Sequence, residues 1–569
     1  MKKLNRVPPR EIENLREMVV NTASLHPDKD LYVYKENKQE VHYTFSRLKS
    51  ECEMAGTALN ALGLAGAHVA VIGETSAKIT VTYLSTIAMG GVIVPFDREV
   101  APEQLVNFIN LAEIAAIVYA PTFNGVLTEM ADKMPGLRYF IPMSGEDTVD
   151  DSLPHAPHVL PWEDFLALGR QSMENGDDCY YKTEQDMEKM CCILFTSGTT
   201  GTSKGVMLSQ KNLCAATYAS CLTTPYDHTT RLVSVLPQHH TYEMTCSHLA
   251  VINIAASEFI NDSLKYVMRN FAAYKPNALV LVPLFVETIH KRIRDEIRKK
   301  GMEKKVAFGK KLAGGLLNVG IDIRPKLFSQ ITGALGGEVK SIICGGAPVS
   351  AEILRDFYSY GITIYEGYGI TECAPLLACN VPGIKPRFGS AGKPVCGVTL
   401  KIDKAEGEET GEILAKGPNV MLGYYKNEEA TREVFTEDGW FRTGDIGYLD
   451  KDGYLFITGR KKNVIILSNG KNVFPEELEE HLSHCETIKE CIVIGRPDDS
   501  GEIAITALIY PDPDKVEGKS DEEIEALLKD EVNAINRTLP SFKHMTAVDV
   551  MKEEFAKTSS KKIKRFLYK

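Results

Sequence analysis

Buried strands alternate with amphipathic helices through the first 190 residues, and this alternation limits the fold more than any other feature. The segment LKSECEMAGTALNALG (48–63) has helical spacing and ends at Gly63, a typical helix stop. AHVAVIG (67–73) is typical of a buried strand, a helix follows near 76–89, and IVPFD is the next strand. Because helices join successive strands, the pattern predicts an α/β fold whose sheet is parallel or mixed and flanked by helices.

The same alternation continues beyond residue 190. Further strands are predicted at 191–195, 279–283, 341–346 and 362–369. A helix lies between the last two strands, with Ser350 as its N-cap and Gly361 as its stop. The stretch 287–311 is basic, which indicates either a solvated helix face or a patch that meets anionic lipid or a nucleotide.

From about residue 387 the pattern becomes β-rich, with a hairpin that turns at Asp452-Gly453. About 110 residues of a new αβ unit follow the Gly459-Arg460-Lys461-Lys462 segment. We therefore predict a large N-terminal domain over 1–460, of sheets flanked by helices, with a small β subdomain at 387–460. A small, mobile α+β domain is predicted over 461–569.

Composition excludes several classes of function. The 569-residue chain has 65 Lys and Arg against 76 Asp and Glu, a net charge of -11, so sequence-independent nucleic-acid binding is not expected. Its 13 Cys include no CxxC pair, which favours buried thiols in a reducing cytosol over disulfides or a zinc ribbon. Neither a secretory signal nor a run of about 20 apolar residues is evident, so we expect a cytoplasmic protein without a membrane span.

The strongest chemical signal is LFTSGTTGTSKG (194–205), a loop of Gly, Thr and Ser with one Lys. A buried strand precedes it, and a helix opens at Ser209. Converging backbone N–H groups, hydroxyls and the Lys204 cation together indicate phosphate binding. The Walker pattern is absent, because Gly205 follows Lys204. The loop also matches G-x-S-x-G, but the strand ends several residues earlier, at Phe195, which disfavours a serine nucleophile.

Four more segments follow in a fixed order: YEGYGITE (365–372), WFRTGD (440–445), GRKK (459–462) and KTSSKKIKR (557–565). Together with the glycine-rich loop they resemble the adenylate-forming superfamily of acyl-CoA synthetases, luciferases and nonribosomal-peptide adenylation domains. The resemblance spans residues 194–565. It implies an enzyme that joins a carboxylate to the α-phosphate of ATP, expels pyrophosphate and then transfers the acyl group to a thiol.

The resemblance also implies a role for each matched residue. Glu372, helped by Thr196, would hold Mg²⁺, and Asp445 would accept hydrogen bonds from the ribose hydroxyls, with Arg460 nearby. The residues implied to hold the β- and γ-phosphates are Thr196, Ser197, Gly198, Thr199, Thr200, Gly201 and Lys204. The residues implied around the adenine are Gly345, Gly346, Ala347, Glu366, Gly367, Tyr368, Gly369 and Thr371.

Catalysis is assigned by the resemblance to Lys562, which would bridge the carboxylate and the α-phosphate, with Glu372 and Lys204 supporting the charge. The sequence departs from the family here, because Lys561 and Ala556 stand where Gly and Pro are usual. His240 would line the pocket of the acyl carboxylate. Its neighbour His239 suggests a metal site, but adjacent strand residues point to opposite faces, so chelation by both is not expected.

The second half-reaction would need a domain rotation about Lys462, the hinge position, which places the loop around Gly470 along a pantetheine tunnel. Coenzyme A is the expected acceptor, and an acyl-carrier protein is the alternative. LPQHHTYE (236–243), the basic helical insert near 285–335 and IICGGAP (342–348) most resemble long-chain fatty acid-CoA ligases. A fatty acid is therefore the expected substrate, with peripheral membrane contact as a further expectation.

Rival interpretations remain open at this point. The main one is a non-catalytic acyl or nucleotide sensor on the same fold, which the altered lysine tail alone supports. An amino-acid adenylation module, a luciferase, a plain hydrolase and a P-loop NTPase are less consistent with the motifs. Dependence of ATP turnover on a fatty acid separates the ligase from the hydrolase and the P-loop NTPase, whereas a luciferase shares the adenylate.

Overall fold

The structure is a computed structural model that describes residues 9–144, 158–196, 203–382, 386–467, 471–497, 502–557 and 563–568. Contacts divide the chain into two compact units. The first unit comprises Met1–Gly198, Ser203–Thr399 and Lys416–Phe435, and the second is formed mainly by Leu400–Ala415 and Thr436–Lys569. The predicted domain boundary at 460 and the mobility of 461–569 stay predictions.

The strands, in chain order, are β1 Asp30–Glu36, β2 Gln39–Thr44, β3 His68–Ile72, β4 Val92–Phe96, β5 Ala116–Tyr119, β6 Tyr139–Pro142, β7 His158–Val159, β8 Met190–Thr196, β9 Lys204–Ser209, β10 Arg231–Ser234, β11 Ser257–Ile260, β12 Ala278–Leu281, β13 Ser341–Gly345, β14 Thr363–Gly369, β15 Leu376–Cys379, β16 Lys393–Pro394, β17 Thr399–Asp403, β18 Gly411–Lys416, β19 Gly423–Tyr424, β20 Phe441–Leu449, β21 Leu455–Arg460, β22 Ile465–Ile466, β23 Asn472–Val473, β24 Ile488–Pro497, β25 Ile503–Pro511 and β26 Ala547–Val550.

The helices are α1 Leu15–Leu25, α2 Phe45–Ala61, α3 Ala77–Ala88, α4 Pro102–Leu111, α5 Asn124–Met130, α6 Trp162–Glu174, α7 Cys179–Lys182, α8 Gln210–Thr223, α9 Thr241–Glu243, α10 Ala250–Asn253, α11 Val267–Tyr274, α12 Pro283–Lys299, α13 Glu303–Asn318, α14 Arg324–Leu327, α15 Ser329–Gly333, α16 Ala351–Tyr360, α17 Glu428–Val434, α18 Pro475–Ser483, α19 Pro513–Val516 and α20 Asp521–Asn536. A π-helical turn, Met244–Leu249, joins α9 to α10.

Three sheets build the first unit. The largest has eight strands in the order β19-β9-β8-β4-β3-β5-β6-β7, and β3 to β6 pair in parallel as the strand–helix alternation predicted. A five-stranded sheet, β12-β13-β14-β15-β16, and a four-stranded one, β10-β11-β1-β2, complete it. Ile72, Val94 and Ile117 of the largest sheet share a buried core with Leu105 and Ile109 of α4, so apolar burial binds helix to sheet.

The second unit holds a four-stranded sheet, β17-β18-β20-β21, and a three-stranded sheet, β24-β25-β26. The predicted hairpin is β20–β21, and Asp450 Oδ1 accepts hydrogen bonds from the backbone N–H groups of Asp452 and Tyr454 to close its turn. Among the described residues, no helix is long and apolar enough to cross a membrane. The predicted fold class, an α/β body with a smaller second part, is confirmed.

Most local predictions agree with the observed elements. Gly63 and Gly361 both adopt the left-handed conformation that ends a helix, with φ of +66° and +92°. Ser350 caps α16 by accepting a hydrogen bond from the N–H of Ile353. The helix predicted to open at Ser209 is α8, and Ser209 is its N-cap. The strand β9, which lies between the glycine-rich loop and α8, was not predicted.

Helices α2 and α6 approach so closely that one residue between them must lack a side chain. A Cβ at Gly169 of α6 would lie 1.8 Å from the carbonyl oxygen of Met54 in α2 and 3.1 Å from the N of Ala58. Both contacts involve backbone, which cannot move aside as a side chain could. The close packing of α2 against α6 therefore requires glycine, which has no Cβ, at position 169.

We expect Gly169→Ala to destabilise the protein by about 1–3 kcal/mol, the usual cost of overpacking. Gly125→Ala in α5 is the matched control, because a Cβ there has nothing within 4 Å and alanine gains up to about 1 kcal/mol in helix propensity. Denaturant unfolding of both variants measures the difference. Equal stability of the two variants would contradict the packing argument.

Candidate functional site

The glycine-rich loop is the connection of an antiparallel hairpin. β8 and β9 pair along their length, and the last pair before the loop is Thr196 with Lys204. The Thr196 hydroxyl donates a 3.4 Å hydrogen bond to the Lys204 carbonyl. Thr196 and Lys204 therefore stand at the two ends of the loop. The other residues predicted to hold phosphate lie outside the described residues: Ser197, Gly198, Thr199, Thr200 and Gly201.

A cation, an aromatic ring and a carboxylate lie in contact beside this hairpin. The Lys204 Nζ sits 4.8 Å from the centre of the Tyr424 ring. The Tyr424 hydroxyl donates a 3.0 Å hydrogen bond to Oε1 of Glu372. Burial, and secondly the Glu372 charge, raises the pKa of Tyr424, so the phenol stays protonated and acts as a donor at neutral pH. Lys204 and Glu372, predicted separately, are thereby joined by a residue that the sequence did not single out.

Glu372 is held by a tight turn between β14 and β15. A Cβ on Gly369 would lie 1.9 Å from the carbonyl oxygen of Pro375, so only glycine fits there. The N–H of Ile370 donates a 2.8 Å hydrogen bond to the same Pro375 carbonyl. Thr371 opens the short 3₁₀ turn that carries Glu372. The carboxylate is thus presented by rigid backbone.

A second segment, residues 417–425, braces this turn from the side. The N–H of Met421 donates to the Glu372 carbonyl at 2.8 Å. The buried Asn419 amide donates to the carbonyls of Cys373 and Leu376, at 3.0 and 2.6 Å. The sequence shows only an asparagine, Asn419, a few residues before Gly423-Tyr424. Such a local pattern does not show that Asn419 is buried or which turn the segment supports.

The residues predicted to surround adenine gather where β13 and β14 end. Cys344 pairs with Glu366, and Gly345 with Gly367, in parallel register. Gly346 continues with a positive φ of +94°, and it and Ala347 are exposed. Tyr368, the next residue of β14, is 7% exposed. The two strand ends therefore form one continuous edge.

Beside this edge, Tyr242 joins β13 to its other neighbour, β12. Its hydroxyl donates to the carbonyls of Leu281 and Ile343, at 3.3 and 3.1 Å. A Cβ on Gly345 would lie 3.4 Å from its ring. The Tyr242 ring therefore supports the strand end from beneath.

Asp445 and Arg460 face each other across β20 and β21 in the second unit. They form a cross-strand pair, with Arg460 Nε 2.7 Å from Asp445 Oδ1. Asp445 is 5% exposed and Arg460 41%. The Thr443 hydroxyl, anchored to the Ile413 carbonyl at 2.7 Å, accepts a hydrogen bond from the N–H of Asp445. This carboxylate is held in place before any ligand arrives.

The predicted hinge residue Lys462 follows directly, in the turn Lys461–Asn463. It lines a cavity of about 270 Å³ in the second unit, as does Arg565. Gly470 and Lys562, predicted for the tunnel and for catalysis, lie outside the described residues.

His239 and His240 lie in a turn after β10, so the expectation that they point to opposite faces was wrong. The turn is closed by a 3.1 Å hydrogen bond from the His240 N–H to the Pro237 carbonyl, and the two rings are 4.1 Å apart. Burial, and secondly His240, lowers the pKa of His239 to about 3, despite Asp97 at 3.7 Å. His239 is therefore neutral at neutral pH. Within the described ranges, this pair is not part of a group of side chains able to hold a metal ion.

Comparison with known families gives two matches. The profile described as "AMP-binding enzyme" matches residues 19–425. The profile described as "AMP-binding enzyme C-terminal domain" matches residues 462–567. The first match includes the glycine-rich loop, and the second includes the lysine tail.

Several relatives match along most of their length. A Mycobacterium bovis protein named "Long-chain-fatty-acid--CoA ligase FadD15" is 30% identical over 532 residues, 89% of this chain and 84% of the relative. An Arabidopsis thaliana protein named "Long-chain-fatty-acid--[acyl-carrier-protein] ligase AEE15, chloroplastic" is 26% identical, covering 90% and 78%. The solved structure of an anthranilate CoA ligase with anthranoyl-AMP aligns with a TM-score of 0.77 at 20% identity, covering 98% and 97%. This last likeness shows the fold.

Proposed function

This chain belongs to the AMP-binding enzyme family, and from that premise we propose that it is an acid–thiol ligase for fatty acids. A fatty acid carboxylate first joins the α-phosphate of ATP and releases pyrophosphate. The acyl group then passes from the adenylate to the thiol of coenzyme A, which releases AMP. The observation that carries the proposal is the contact of Lys204, Tyr424 and Glu372 beside the glycine-rich hairpin.

This contact suits the phosphates of ATP. Lys204 supplies positive charge at one end of the loop, and Thr196 supplies a hydroxyl at the other. The loop between them, 197–202, is rich in Gly, Thr and Ser, whose backbone and hydroxyl donors suit phosphate oxygens. A cation that touches an aromatic face also keeps its stem ordered, so it is presented to an anion at a lower entropy cost.

Glu372 suits Mg²⁺, which prefers oxygen ligands and retains several waters. The bond from Tyr424 leaves the carboxylate with further lone pairs, since each oxygen can accept more than once. The Thr196 hydroxyl donates toward Lys204, so its oxygen lone pairs remain ligands of the same kind. The ion would offset part of the phosphate charge, while Tyr424 orients the carboxylate.

The nucleoside would lie on the edge formed by β13 and β14. Gly345, Gly346 and Ala347 present backbone against which a flat base can lie, and Tyr368 offers the ring to stack on. Glu366 and Gly367 directly precede Tyr368 on the same strand. Asp445 would accept hydrogen bonds from the ribose hydroxyls, with Arg460 compensating its charge.

Lys562 would stabilise the charge that builds between carboxylate and α-phosphate during adenylation. Lys562 is assigned this role because it lies in the tail KTSSKKIKR (557–565) and is followed there by Ile563 and Arg565. His240, in the turn after β10, would orient the acyl carboxylate. Rotation about Lys462 would then bring the loop around Gly470 to the pantetheine arm of coenzyme A.

Two observations guide the choice of acid and acceptor. The name of the M. bovis relative supports a long-chain fatty acid and coenzyme A. The name of the A. thaliana relative keeps an acyl-carrier protein as the alternative acceptor. The carrier presents the same phosphopantetheine thiol, and the basic residues Lys564 and Arg565 suit either the phosphates of CoA or an acidic carrier.

We expect fatty-acid-dependent release of pyrophosphate from ATP and Mg²⁺, with turnover stimulated by CoA. Lys562→Ala should lower the adenylation rate by about 10²–10³-fold, the range for losing one donor to a transition-state charge. Lys561→Ala is the matched control, since it removes the same charge one residue away. The assay is pyrophosphate release across acids of graded length, with CoA or with acyl-carrier protein.

The outcomes separate the alternatives. Turnover with acyl-carrier protein but a single turnover with CoA would favour the carrier as acceptor. Loss of activity in Lys561→Ala with activity retained in Lys562→Ala would move the catalytic role to Lys561. No acid-dependent release from a protein that binds ATP would contradict the ligase proposal and favour the sensor.

We expect Tyr424→Phe to weaken the response to Mg²⁺ because it removes the hydrogen bond that orients Glu372. A lost bond to a charged group is worth about 1.5–3 kcal/mol. The concentration of Mg²⁺ giving half-maximal rate should therefore rise more than about tenfold, with most of kcat regained at saturating Mg²⁺. Tyr425→Phe is the control, because that hydroxyl donates to Glu113 instead, at 3.3 Å. An equal effect in both variants would argue against the orienting role.

We also propose that the insert formed by α12 and α13 meets an anionic lipid surface. Residues 283–319 carry ten Lys and Arg against four Asp and Glu, in a chain whose net charge is negative. Large apolar side chains stand exposed among them, with Phe308 at 68%, Leu312 at 45% and Val319 at 72%. Basic charge around exposed apolar groups is the pattern of a peripheral membrane surface.

Phe308→Ser combined with Val319→Ser should reduce co-sedimentation with vesicles that contain phosphatidylglycerol, and added salt should reduce binding of the parent protein. Leu25→Ser is the control, because that side chain is 52% exposed outside the insert. Equal binding to vesicles of phosphatidylcholine alone, or binding unaffected by the double substitution, would refute this lipid contact.

A further inference from the structure

A buried cluster of ionisable side chains lies in the first unit, outside the residues assigned to ATP. Glu243 and His248 are 0% exposed, and Glu258 is 1% exposed. Glu243 ends α9, His248 lies in the π-helical turn that follows, and Glu258 belongs to β11. One nitrogen or oxygen from each residue lies within 4.8 Å of the others.

The π-helical turn explains how two of these residues meet. In a regular α-helix, residues five apart differ by about 140° around the axis and face different sides. The i→i+5 bonding of a π-turn brings such residues toward one side, and π-turns occur frequently at functional sites. Glu243 and His248 are five apart, and the turn Met244–Leu249 lies between α9 and α10. The irregular turn thus places a carboxylate and an imidazole side by side.

Hydrogen bonds satisfy only part of the cluster. The Ser234 hydroxyl donates to Oε1 of Glu243 at 2.5 Å, and the Ser247 hydroxyl donates to Oε1 of Glu258 at 2.6 Å. Within the described part of the chain, no hydrogen bond reaches Glu243 Oε2, Glu258 Oε2 or His248 Nε2, although all three atoms are buried. Glu258 Oε2 lies 2.9 Å from His248 Nδ1, and the two side chains form a buried ion pair.

The surroundings contribute dipoles but no compensating charge. The Tyr32 hydroxyl of β1 lies 3.1 Å from His248 Nδ1 and 3.0 Å from the Thr80 hydroxyl of α3. The Gln238 amide donates to the same Thr80 hydroxyl at 2.7 Å. Over the described ranges, the only ion pair made by these two glutamates is the one with His248. Within the described residues, no Lys or Arg pairs with either carboxylate, and only Glu258 has an ion-pair partner, His248. A buried carboxylate without such a partner is costly unless it is neutral or coordinates a metal.

We propose that Glu243, His248 and Glu258 bind a divalent transition-metal ion, Zn²⁺ in the first instance, at a site separate from the nucleotide's Mg²⁺. One neutral imidazole and two carboxylates are ligands that Zn²⁺ accepts, and the two negative charges balance those of the ion. Bonds of about 2.0–2.2 Å to the ion require ligand atoms about 3.3 Å apart. The present ligand atoms lie within 4.8 Å of one another, with His248 Nδ1 and Glu258 Oε2 at 2.9 Å, so only small side-chain adjustments are needed.

Such an ion would connect β11 to the helical segment that begins just after His240. One oxygen of each glutamate and one ring nitrogen of His248 would become its ligands, while Ser234 and Ser247 keep their bonds to the other carboxylate oxygens. Those serines are the outer-shell partners that commonly orient metal-binding carboxylates. The ion would act as a structural crosslink near the acyl end of the site.

The first measurement is the zinc content of the full-length protein, purified without chelator and dialysed against buffer with Mg²⁺, by inductively coupled plasma mass spectrometry. We expect stoichiometric zinc, or stoichiometric uptake when Zn²⁺ is added to chelator-treated protein, with a higher melting temperature on binding. Glu258→Gln and Glu243→Gln should each weaken zinc affinity at least about 10–100-fold. Glu51→Gln is the matched control, a buried carboxylate of the same unit that Tyr43 and Arg47 already satisfy.

A second test uses the unmutated protein with Co²⁺ in place of Zn²⁺. Its result does not depend on whether the Gln variants fold. Co²⁺ bound by one imidazole and carboxylates shows visible d–d absorption without a thiolate charge-transfer band. This distinguishes the cluster from the 13 cysteines of the chain. A thiolate band, zinc retained equally by both Gln variants, or no uptake and no melting shift with Zn²⁺, Co²⁺ or Mn²⁺ would each overturn the proposal.

Discussion

The turn between β14 and β15 admits no side chain at Gly369, and the rest of the candidate site depends on that exclusion. The chain reverses within a few residues of the strand end, which brings the Pro375 carbonyl into the space that a Cβ of residue 369 would occupy. Glu372 is therefore delivered to the end of the sheet on rigid backbone. Rigid presentation matters for a metal-binding carboxylate, since its position is fixed before the ligand arrives.

Around this turn, polar side chains substitute for regular secondary structure. Asn419 occupies two carbonyls of the turn, and Asn212 of α8 donates to the carbonyls of Pro418 and Val420. Buried backbone groups need partners, and these amides provide them where no strand runs alongside. The segment 417–425 that supports the turn also places the Tyr424 hydroxyl beside Glu372. One segment therefore both supports the turn and orients its carboxylate.

Two polar centres of the first unit, one partly exposed and one buried, differ in how their charges are balanced. At the glycine-rich hairpin, Lys204 and Glu372 are linked through Tyr424, and the site stands at the end of strands where a large anion can approach. In the Glu243–His248–Glu258 cluster, two carboxylates meet one imidazole with almost no exposure. The first arrangement suits a substrate that binds and dissociates in each turnover, and the second suits a permanently bound ion.

Local sequence signals predicted the regular elements well. The helix stops at Gly63 and Gly361 and the cap at Ser350 were readable because each depends on a few neighbouring residues. The strand β9 was missed, since KGVMLS lies between a glycine-rich loop and a helix cap and its pairing partner β8 was needed to define it. The turn at His239-His240 was missed for a similar reason, because its conformation is set by the packing around it.

The sequence by itself determined the fold class, the family and the positions of Lys204, Glu372 and Asp445, because apolar periodicity and short motifs are local properties of the chain. Only the tertiary structure decided that Tyr424 joins Lys204 to Glu372 and that Asp445 already pairs with Arg460. It alone brought Glu243 and His248, near each other in the chain, to Glu258 on another element. Contacts of this kind depend on the register of strands and the pitch of a π-turn, which distant residues set together.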